Sequence, residues 1–573
     1  MPRMSRPHSQ KISLQSAIRT VRREFAAAGL FSFFINVLML VSPLFMLQVY
    51  DRVLTSRNGF TLLMLALLAV ALLAVMAALD ALRARLLVRI GRRMDNQTNG
   101  VLFDGVLTAA LYRPGLMGAQ YFRDMDLIRQ FMAGPIAAFF DAPWVPVYLG
   151  LVFLMHPWLG LVALAGAIAI FALAWMNDRL TRLAQQQATE RSVQANELVD
   201  RALRNVEALR AMGMGDAMRR LWQGHQSEAL HAQCAASERG ATIAAVSKAF
   251  RLILQVLILG VGAGLAIRQE ITPGMMIAAS IIMGRGLAPL EQAIGGWRSF
   301  SAARAAFGRL EKLFAALPQS DSRMSLPPVK GALSVDRLIA APPGSKSPVL
   351  KGFSFAVSPG EAVAIIGPSA AGKTTLARLI LGLWQPQSGF VRLDGAEVCN
   401  WPRSELGPQV GYLPQDVELF AGTVAQNIAR FGEVDADKVV EAARRAGCHE
   451  MILSLPDGYD TQIGNNGANL SAGQRQRLGL ARALYGDPRL IVLDEPNANL
   501  DGEGEAALAA AVRDIKARGS TLFVISHRAD ILRLVDKILV LNNGQLAGFG
   551  PAADYLPALT GRGRGTGQNK ERA

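Results

Sequence analysis

A glycine-rich stretch with a lysine and two threonines, GPSAAGKTT (residues 367–375), has the composition of a phosphate-binding loop. It lies between the apolar segments EAVAIIG and LARLILGL, an order that predicts a buried strand, a loop and then a helix. Glycines let backbone N–H groups wrap phosphate oxygens, so Lys373 is expected to reach the β- and γ-phosphates and Thr374 a Mg²⁺ ion. The predicted nucleotide contacts in this loop are Gly367, Pro368, Ser369, Ala370, Ala371, Gly372, Lys373, Thr374 and Thr375.

Three further segments end in polar side chains that suit phosphoryl transfer to water. RLIVLDEP ends in Asp494, expected to hold the hydration shell of Mg²⁺, and Glu495, expected to polarise the attacking water. TLFVISHR ends near His527, and GYLPQD places Gln415 after a short strand. Because the carboxyl ends of parallel strands form one ligand-facing edge, His527 is predicted to contact the γ-phosphate and Gln415 the metal or the water.

A second candidate anion site lies in NLSAGQRQR, residues 469–477. Ser471 and Gly473 stand at the start of a predicted helix, with Gln474 one residue further on, and the N–H groups of a first helical turn suit an anion. The phosphate loop lies about a hundred residues upstream and already supplies a cradle. The sequence therefore raises the question of which phosphate this second site would bind.

Composition separates the chain into two different halves. Of its 573 residues 51% are hydrophobic, and the long apolar segments lie in the first three hundred. The formal net charge is +15, but the basic residues flank apolar segments and no nucleic-acid-binding motif accompanies them. We therefore expect a membrane part followed by a soluble part, with no nucleic-acid partner. The three cysteines have no metal-ligand spacing and are expected to be reduced thiols.

Six apolar segments approach or exceed the ~20 residues that a helix needs to cross a bilayer. They lie near residues 25–49, 59–81, 133–155, 158–176, 241–267 and 272–296. The basic start of the chain and the arginines after the second segment predict a cytoplasmic N-terminus. The long polar intervals after the second and fourth segments predict helical extensions into the cytoplasm, with bends at residues 117–126 and 209–218.

Several charged residues fall inside or beside the predicted membrane helices. Asp141 lies in FFDAPWVPVY beside Pro143 and Pro146, which predict a kink. The carboxylate is either a functional group at membrane depth or a group in a wet cavity below the bilayer. Glu291 could line a polar pathway, as could Arg285 and Arg298, although ion pairing or contact with lipid headgroups is the favoured interpretation.

The predicted fold is a six-span α-helical membrane domain followed by an α/β domain of the P-loop NTPase class. The predicted boundaries are a cytoplasmic N-terminal segment 1–24, the membrane domain 25–312, a linker 313–330, the nucleotide-binding domain 331–558 and a disordered basic tail 559–573.

The soluble half resembles the nucleotide-binding domain of ABC transporters, because GPSAAGKTT, Gln415, LSAGQ, LIVLDEP, NANLD and His527 occur in the order of that family. The membrane half resembles ABC exporters. Segments such as PLFMLQVYDRVLTSRNGFTLLML, FFDAPWVPVY and LAPLEQAIGGWR resemble the protease-exporter branch (PrtD-like) of type I secretion transporters.

The resemblance implies an ATP hydrolase that uses Mg²⁺ and works as a homodimer in the bacterial inner membrane, with the ATPase domain in the cytoplasm. In this family the signature motif of one subunit closes over ATP bound by the other, so Ser471, Gly473 and Gln474 are expected to serve the partner's γ-phosphate. The implied cargo is a polypeptide with an uncleaved C-terminal secretion signal. The implied partners are membrane lipids, a periplasmic adaptor (a membrane fusion protein) and a TolC-like outer-membrane channel.

The chain departs from the family pattern at three places. Ala472 occupies a signature position that is usually glycine, and Asn465 replaces a glutamate that many exporters have. The segment around Ala341 and Pro342 contains no aromatic residue to stack on adenine. Only about 24 residues precede the first apolar segment, too few for the N-terminal peptidase domain of leader-processing exporters.

Two alternative functions share much of this pattern. A lipid or small-molecule (drug) exporter would have the same ATPase residues and six spans, and only the branch-like membrane segments argue against it. An ATP-gated regulator would be expected to have a damaged hydrolytic site, whereas Glu495 and His527 are both present.

Overall fold

The computed structural model describes residues 19–112, 118–316, 327–345, 347–464, 467 and 469–559. The chain divides into two compact units that adjoin in sequence near residue 319. The first unit is helical and the second contains the β-sheets. Asn465 and most of the N-terminal and C-terminal segments named above lie outside the described residues.

The described part of the first unit is built from long helices. They are α1 (Arg22–Leu38), α2 (Val41–Gln48), a π-helical turn (Val49–Val53), α3 (Leu54–Ser56), α4 (Gly59–Tyr112), α5 (Gly118–Ala133), α6 (Ala137–Asp141), a 3₁₀ turn (Ala142–Trp144), α7 (Val145–Met155), α8 (Pro157–Arg204), α9 (Val206–Ala211), α10 (Gly215–Ile267) and α11 (Pro273–Ala316).

Six helical runs among the described residues are long and apolar enough to cross a membrane, which confirms the predicted membrane fold. They are Arg22–Ser56, Gly59–Tyr112, Ala137–Met155, Pro157–Leu203, Gly215–Ile267 and Pro273–Ala315. Helices α4, α8 and α10 contain 54, 48 and 53 residues, more than twice the length that a bilayer requires. Each therefore continues well beyond its apolar segment, as the polar intervals predicted.

The two predicted bends have different outcomes. Between α9 and α10 the chain turns at residues 212–214, where Gly213 has a φ of 66°, so a bend lies within 209–218. Residues 118–126 are instead helical, so the sequence-based position of the first bend was wrong for them. Gly118 is the first residue of α5, where a glycine does not interrupt a helix. Residues 113–117 lie outside the described part of the chain.

The third apolar run is interrupted beside Asp141, as its prolines predicted. Helix α6 ends at Asp141, the next three residues form the 3₁₀ turn, and α7 begins at Val145. Proline cannot donate an intrahelical hydrogen bond, and its ring clashes with the preceding turn. The interruption turns the Asp141 carboxylate into the helix bundle, where the residue is 7% exposed.

Asp141 belongs to a buried polar network that connects four helices. The Arg83 Nη1 atom donates to both carboxylate oxygens of Asp141, at 2.8 and 3.1 Å, and to the Ser32 hydroxyl at 2.8 Å. The Asn36 amide donates to Asp141 at 2.8 Å, and the Tyr148 hydroxyl donates to the Asn36 carbonyl oxygen at 2.9 Å. The carboxylate is therefore paired with buried side chains inside the helix bundle.

The other membrane charges considered in the sequence are arranged differently. The Nε atom of Arg251 lies 2.9 Å from a carboxylate oxygen of Glu291, in agreement with the favoured ion-pair interpretation. Arg298 is exposed and lines a cleft in the helical unit. Arg285 is also exposed, and among the described residues no acidic side chain lies within ion-pair distance of it.

The second unit contains a six-stranded sheet of order β12-β11-β3-β10-β9-β6, a four-stranded sheet of order β2-β1-β4-β5 and a two-stranded sheet of β7 and β8. The strands are β1 (Leu333–Ala340), β2 (Leu350–Val357), β3 (Ala362–Ile366), β4 (Ser388–Leu393), β5 (Ala396–Glu397), β6 (Val410–Leu413), β7 (Gly422–Thr423), β8 (Gln462–Ile463), β9 (Leu490–Asp494), β10 (Thr521–Ile525), β11 (Lys537–Asn542) and β12 (Gln545–Pro551).

The centre of the six-stranded sheet is parallel and buried. Strand β10 pairs in parallel with both β3 and β9, and β6 pairs in parallel with β9. Every residue of β3, β9 and β10 is buried, which explains why these segments read as continuous apolar runs. The strands predicted to carry the catalytic residues therefore end at the same edge of one sheet.

Helices cover this sheet, and two 3₁₀ turns occur in the connections, at Val398–Asn400 and Gly458–Asp460. The helices are α12 (Lys373–Ile380), α13 (Arg403–Gln409), α14 (Val424–Ile428), α15 (Ala436–Arg445), α16 (His449–Leu453), α17 (Ala472–Leu484), α18 (Gly502–Ala517), α19 (Ala529–Leu532) and α20 (Ala552–Leu559). The predicted linker is helical at residues 313–316, and residues 317–326 lie outside the described part.

The buried network predicts that two carboxylates that bind the same arginine contribute very differently to the stability of the fold. Asp141→Asn removes the buried counter-charge of Arg83 and leaves only the exposed Asp80, and breaking a buried ion pair costs about 3 kcal/mol or more. Asp80 also contacts Arg83, but its side chain is 58% exposed, so Asp80→Asn should cost less than about 1 kcal/mol. We expect the apparent melting temperature in detergent to fall clearly for Asp141→Asn only, and equal melting of the two variants would contradict the network.

Candidate nucleotide site

The phosphate loop connects β3 to α12 and depends on two glycines with positive φ. Gly367 has a φ of 151° and Gly372 a φ of 101°. A Cβ atom at Gly367 would collide with the carbonyl oxygen of Leu541, and one at Gly372 would lie 2.6 Å from the Leu350 side chain. Both positions therefore require glycine, and the backbone can pass close to the neighbouring strands.

Lys373 is the first residue of α12, and its side chain folds back over the loop. The ammonium group donates to the carbonyl oxygens of Gly367 and Pro368, at 2.7 and 2.9 Å. The residue is only 9% exposed, so the charge is held within the loop rather than in solvent. A cation at this place complements the phosphate oxygens for which the sequence predicted it.

Asp494 ends β9 next to the start of α12. It is 1% exposed, and among the described residues no group donates a hydrogen bond to its Oδ2 atom. Burial raises the pKa of Asp494 above its ordinary value, the nearby Thr374 hydroxyl partly offsets the rise, and the Glu495 charge adds to it. A buried carboxylate oxygen without a partner is a costly arrangement unless it serves a ligand.

This arrangement fits a Mg²⁺ ion bound together with a nucleotide. Magnesium prefers oxygen ligands and is usually held by one or two carboxylates plus substrate phosphates. The described residues contain no group of three histidine, cysteine, aspartate or glutamate side chains that could hold a metal alone. Asp494, Thr374 and Gln415 supply oxygen atoms, and the remaining ligands would come from phosphate and water.

Glu495 follows Asp494 in a left-handed backbone conformation, with a φ of 49°. Its N–H donates to the Ile525 carbonyl oxygen at 3.0 Å, and its carboxylate accepts a hydrogen bond of 3.0 Å from the Gln415 amide. A positive φ is uncommon for a residue with a side chain and occurs often at functional sites. Gln415 and Glu495 are therefore brought together, although they lie 80 residues apart in the chain.

His527 lies just beyond the end of β10. Ile525 is the register partner of Asp494, so His527 leaves the sheet at the same edge as the two acids. The loop is fixed by the buried Ser526, whose hydroxyl donates to Asn497 at 3.0 Å and accepts from the Arg528 N–H at 3.2 Å. His527 itself is exposed, which leaves its imidazole accessible to a ligand at this edge.

The second candidate anion site is the N-terminus of α17. Ser471 caps this helix: its hydroxyl accepts from the Gln474 N–H at 3.2 Å, and the Gln474 side chain accepts from the Ser471 N–H at 2.8 Å. The N–H groups of Ala472 and Gly473 belong to the first turn and have no intrahelical acceptor. This helix start can therefore bind an anion through its backbone.

Two residues that the sequence did not single out tie α17 to the loop after Glu495. The Gln476 amide donates to the Pro496 carbonyl oxygen at 3.2 Å, and the Arg477 guanidinium lies 2.7 Å from Asp501. Gly473 is close to the same loop, because a Cβ atom there would lie 2.9 Å from the Asn499 carbonyl oxygen. These contacts connect segments that are 20 residues or more apart, so no local pattern predicts them.

Arg378 and Tyr412 are a second pair that sequence reasoning missed. The Arg378 guanidinium stacks over the Trp384 ring, 4.8 Å from its centroid, and its charge acts on the Tyr412 hydroxyl. Burial raises the pKa of the Tyr412 hydroxyl, and the negative charge of Asp494 raises it further. Side chains alternate between the two faces of β6, so Tyr412 points to the opposite face from Gly411 and Leu413. This alternation is the only sequence signal that could have indicated the place of Tyr412.

The departures from the family pattern are partly visible in the structure. Ala472 is exposed, so its methyl group meets no neighbour that would have to move. Ala341 and Pro342 follow the last residue of β1 and are half-buried. The residues that connect β1 to β2 include no aromatic side chain, as the sequence indicated.

Comparison with known proteins supports the same assignment. A family model described as "ABC transporter transmembrane region" matches residues 25–285, and one described as "ABC transporter" matches residues 350–498. The chain is 44% identical, over 94% of both chains, to "Type I secretion system ATP-binding protein PrsD" of Rhizobium meliloti. It is 30% identical to "Cyclolysin secretion/processing ATP-binding protein CyaB" of Bordetella pertussis, over 92% of this chain and 75% of that protein.

Among solved structures, the fold is similar to that of "a bacterial Atm1-family ABC exporter with ATP bound". The TM-score is 0.82 at 21% sequence identity, and the match covers 96% of this chain and 99% of that one. The match confirms the predicted order of a six-span membrane domain and an α/β ATPase domain. With its ATP-binding ATPase domain and its membrane region, the chain belongs to the ABC transporter family, in the group of type I secretion ATP-binding proteins.

Proposed function

We propose that this protein is an ATP-driven inner-membrane exporter of a polypeptide with an uncleaved C-terminal secretion signal, working as a homodimer. The observation that carries the proposal is the 44% identity to a type I secretion ATP-binding protein along 94% of both chains. The geometry supports active transport rather than ATP-gated regulation, because Glu495, the proposed polarising residue, is present and accepts a hydrogen bond from Gln415.

In the proposed mechanism each residue near the sheet edge has a separate task. Lys373 and the loop N–H groups bind the β- and γ-phosphates, and Thr374, Gln415 and Asp494 orient the metal. When bound, Mg²⁺ neutralises charge that develops on the phosphates. Glu495 polarises the attacking water, and the hydrogen bond from Gln415 holds its carboxylate in place. His527 contacts the γ-phosphate from the adjacent strand end.

The second anion site supports the proposed homodimer. The Ser471 hydroxyl is engaged in its own helix cap, so the proposed γ-phosphate contacts come from the N–H groups at the start of α17. A symmetric dimer would pair each phosphate loop with the α17 N-terminus of the other chain and so form two composite sites.

The proposed secretion function also predicts the membrane location and the partners of the protein. We place the protein as a multi-pass component of a bacterial inner membrane, with its ATPase domain in the cytoplasm. Its proposed partners are a periplasmic adaptor and a TolC-like outer-membrane channel, which would carry the polypeptide onward. The test below separates this function from lipid or drug export.

Glu495→Gln is expected to bind ATP but to lose nearly all hydrolysis, because an amide cannot accept the proton of the attacking water. Cells with this variant should lack one or a few polypeptides in the medium that cells with the native protein secrete. The secreted proteome measures this difference. An unchanged medium, in cells whose purified native protein hydrolyses ATP, would overturn polypeptide secretion and favour lipid or drug export.

Composite sites predict rescue between two inactive variants in mixed dimers. Lys373→Ala damages the phosphate loop, and Ala472→Glu places a negative charge at the exposed start of α17. An acidic residue suits a first helical turn, so folding should be preserved while the γ-phosphate is repelled. Co-expression should restore roughly a quarter of the ATPase activity, because about half of the dimers are then mixed and each mixed dimer has one intact site of two.

Co-expression of the Lys373→Ala variant with the Glu495→Gln variant provides the matched control. Both substitutions damage the phosphate-loop side of a site, so a mixed dimer contains no intact site. Rescue in this control, or none in the first pair, would contradict sites shared between chains.

Asp494→Asn should stabilise the nucleotide-free protein at neutral pH while abolishing ATPase activity. Because the pKa of Asp494 is raised in the folded protein, its ionised carboxylate destabilises the fold at pH values above that pKa. Below about pH 3.8 the carboxyl group is protonated in both the folded and the unfolded state, and the destabilisation disappears. Asparagine removes the charge and hence the cost. Melting in detergent without Mg²⁺ should therefore be higher for the variant at neutral pH, and a lower melting temperature there would contradict a strained carboxylate.

A further inference from the structure

Helix α4 has a continuous exposed face along its apolar part. The side chains of Leu67, Val75 and Leu82 are all exposed on it. With 3.6 residues per turn, these three positions lie within about 80° of one another around the helix axis. Because they belong to an apolar segment of membrane-spanning length, this face is the lipid-facing side of α4.

The same face continues into three arginines beyond the apolar segment. Arg85, Arg89 and Arg92 have the spacing i, i+4, i+7, which places them on one side of the helix, in line with Leu67 and Leu82. All three are exposed, and in the described part of the chain no acidic side chain lies within ion-pair distance of them. We call this surface the arginine face of α4.

The other two arginines of α4 are paired within the chain. Arg83 contacts Asp141 of α6, and Arg93 contacts Glu24 of α1. The chain therefore supplies counter-charges to the arginines that face neighbouring helices, whereas those on the lipid-facing side remain available to a ligand from outside.

Helix α8 has a similar arrangement that includes a tryptophan. The exposed Phe171 and Trp175 lie near the end of its predicted apolar segment. The Arg179 guanidinium lies over the Trp175 ring, 4.9 Å from its centroid, and Arg182 is exposed on the same side. Among the residues that the structure describes, neither arginine has an acidic partner within ion-pair distance. Tryptophan is typical of the boundary between lipid tails and headgroups, so this arginine face of α8 lies beside that boundary.

The depth of these arginines suits the phosphate groups of lipids. Arg85 and Arg89 follow the predicted apolar segment 59–81 by about 6 and 12 Å along the helix axis, and Arg179 follows the segment 158–176 by about 5 Å. The headgroup layer is roughly 5–8 Å thick on each side of the bilayer. Helical side chains lean toward the N-terminus, which in both helices is the membrane side. The long arginine side chains can therefore reach back into the headgroup layer.

We propose that the arginine faces of α4 and α8 bind the phosphate groups of anionic phospholipids, in the leaflet on the side that we place in the cytoplasm. A guanidinium matches the geometry of a phosphate and can donate two hydrogen bonds to it. A zwitterionic lipid carries its own cation beside the phosphate, which the arginines repel. The inference goes beyond the proposed export function, because it requires the membrane location but no particular cargo.

The test compares the binding of phosphatidylglycerol and phosphatidylcholine to the full-length protein in detergent, with native mass spectrometry to count the bound lipids. The anionic lipid should bind at least about tenfold more tightly, since each arginine near an anionic membrane surface strengthens binding about fivefold. Higher salt should reduce the difference. Equal binding of the two lipids would overturn the proposal. So would displacement of phosphatidylglycerol by free glycerol phosphate, which would indicate a site for soluble phosphates.

Charge variants connect the lipid preference to the two faces. Arg85→Gln, Arg89→Gln, Arg179→Gln and Arg182→Gln combined should abolish the preference, whereas lysine at the same four positions keeps the charge and should retain it. The pairs on α4 and on α8 are also replaced separately, so that each face is tested with half of the charge change. ATPase activity in detergent identifies the folded variants. An unchanged preference in the folded glutamine variants would overturn the proposal, and their dissociation into monomers would then assign the arginines to a contact between copies of the chain.

The matched control removes the same number of charges from exposed arginines of the β-sheet-containing unit. They are Arg337, Arg444, Arg513 and Arg533, each replaced with glutamine. This variant should keep the native preference for phosphatidylglycerol. Loss of the preference here as well would show a general charge effect and overturn the assignment to α4 and α8.

The lipid proposal and the export proposal fail separately. If secretion depends on Glu495 while the two lipids bind equally, only the lipid proposal fails. If the native protein prefers phosphatidylglycerol while Glu495→Gln leaves the secreted proteome unchanged, only polypeptide export fails.

Discussion

The parallel pairing of β3, β10 and β9 is the constraint on which the nucleotide site depends. Because these strands are wholly buried and run in the same direction, the phosphate loop, the acids Asp494 and Glu495, and His527 must all leave the sheet at one edge. The groups predicted to serve as phosphate cradle, metal ligand and base are thereby brought to one edge of the sheet from segments spread over residues 367–527.

Two buried carboxylates of this chain differ in how completely their oxygen atoms are paired. Asp141 is satisfied by Arg83 and Asn36, so its charge contributes to the packing of the membrane helices. Asp494 is more deeply buried, its Oδ2 atom has no donor in the described part of the chain, and its pKa is raised. A low-dielectric environment makes an incompletely paired charge costly, so the cost at Asp494 is understandable where a cation binds with the substrate. The same physical rule therefore separates a structural carboxylate from a proposed metal ligand.

The sequence alone predicted those features that produce a pattern within a short stretch of residues. Apolar length revealed the six spans, and continuous apolar runs next to GPSAAGKTT and LDEP revealed the central strands. Contacts between distant segments could not be predicted in this way: Asp141 meets an arginine 58 residues away, and Gln476 meets the loop after Glu495. The first bend was misplaced because a glycine at the start of a helix resembles, in sequence, a glycine that interrupts one.

The helix cap at Ser471 explains how the chain tolerates an unusual signature residue. Since the serine hydroxyl is bound within its own helix, the donors offered to an anion are backbone N–H groups, which alanine supplies as well as glycine. The methyl group of Ala472 is exposed and displaces nothing. The next position is different, because a side chain at Gly473 would press against the carbonyl oxygen of Asn499 in the loop after Glu495. The motif is therefore permissive at residue 472 and restrictive at residue 473 for reasons of space rather than of hydrogen bonding.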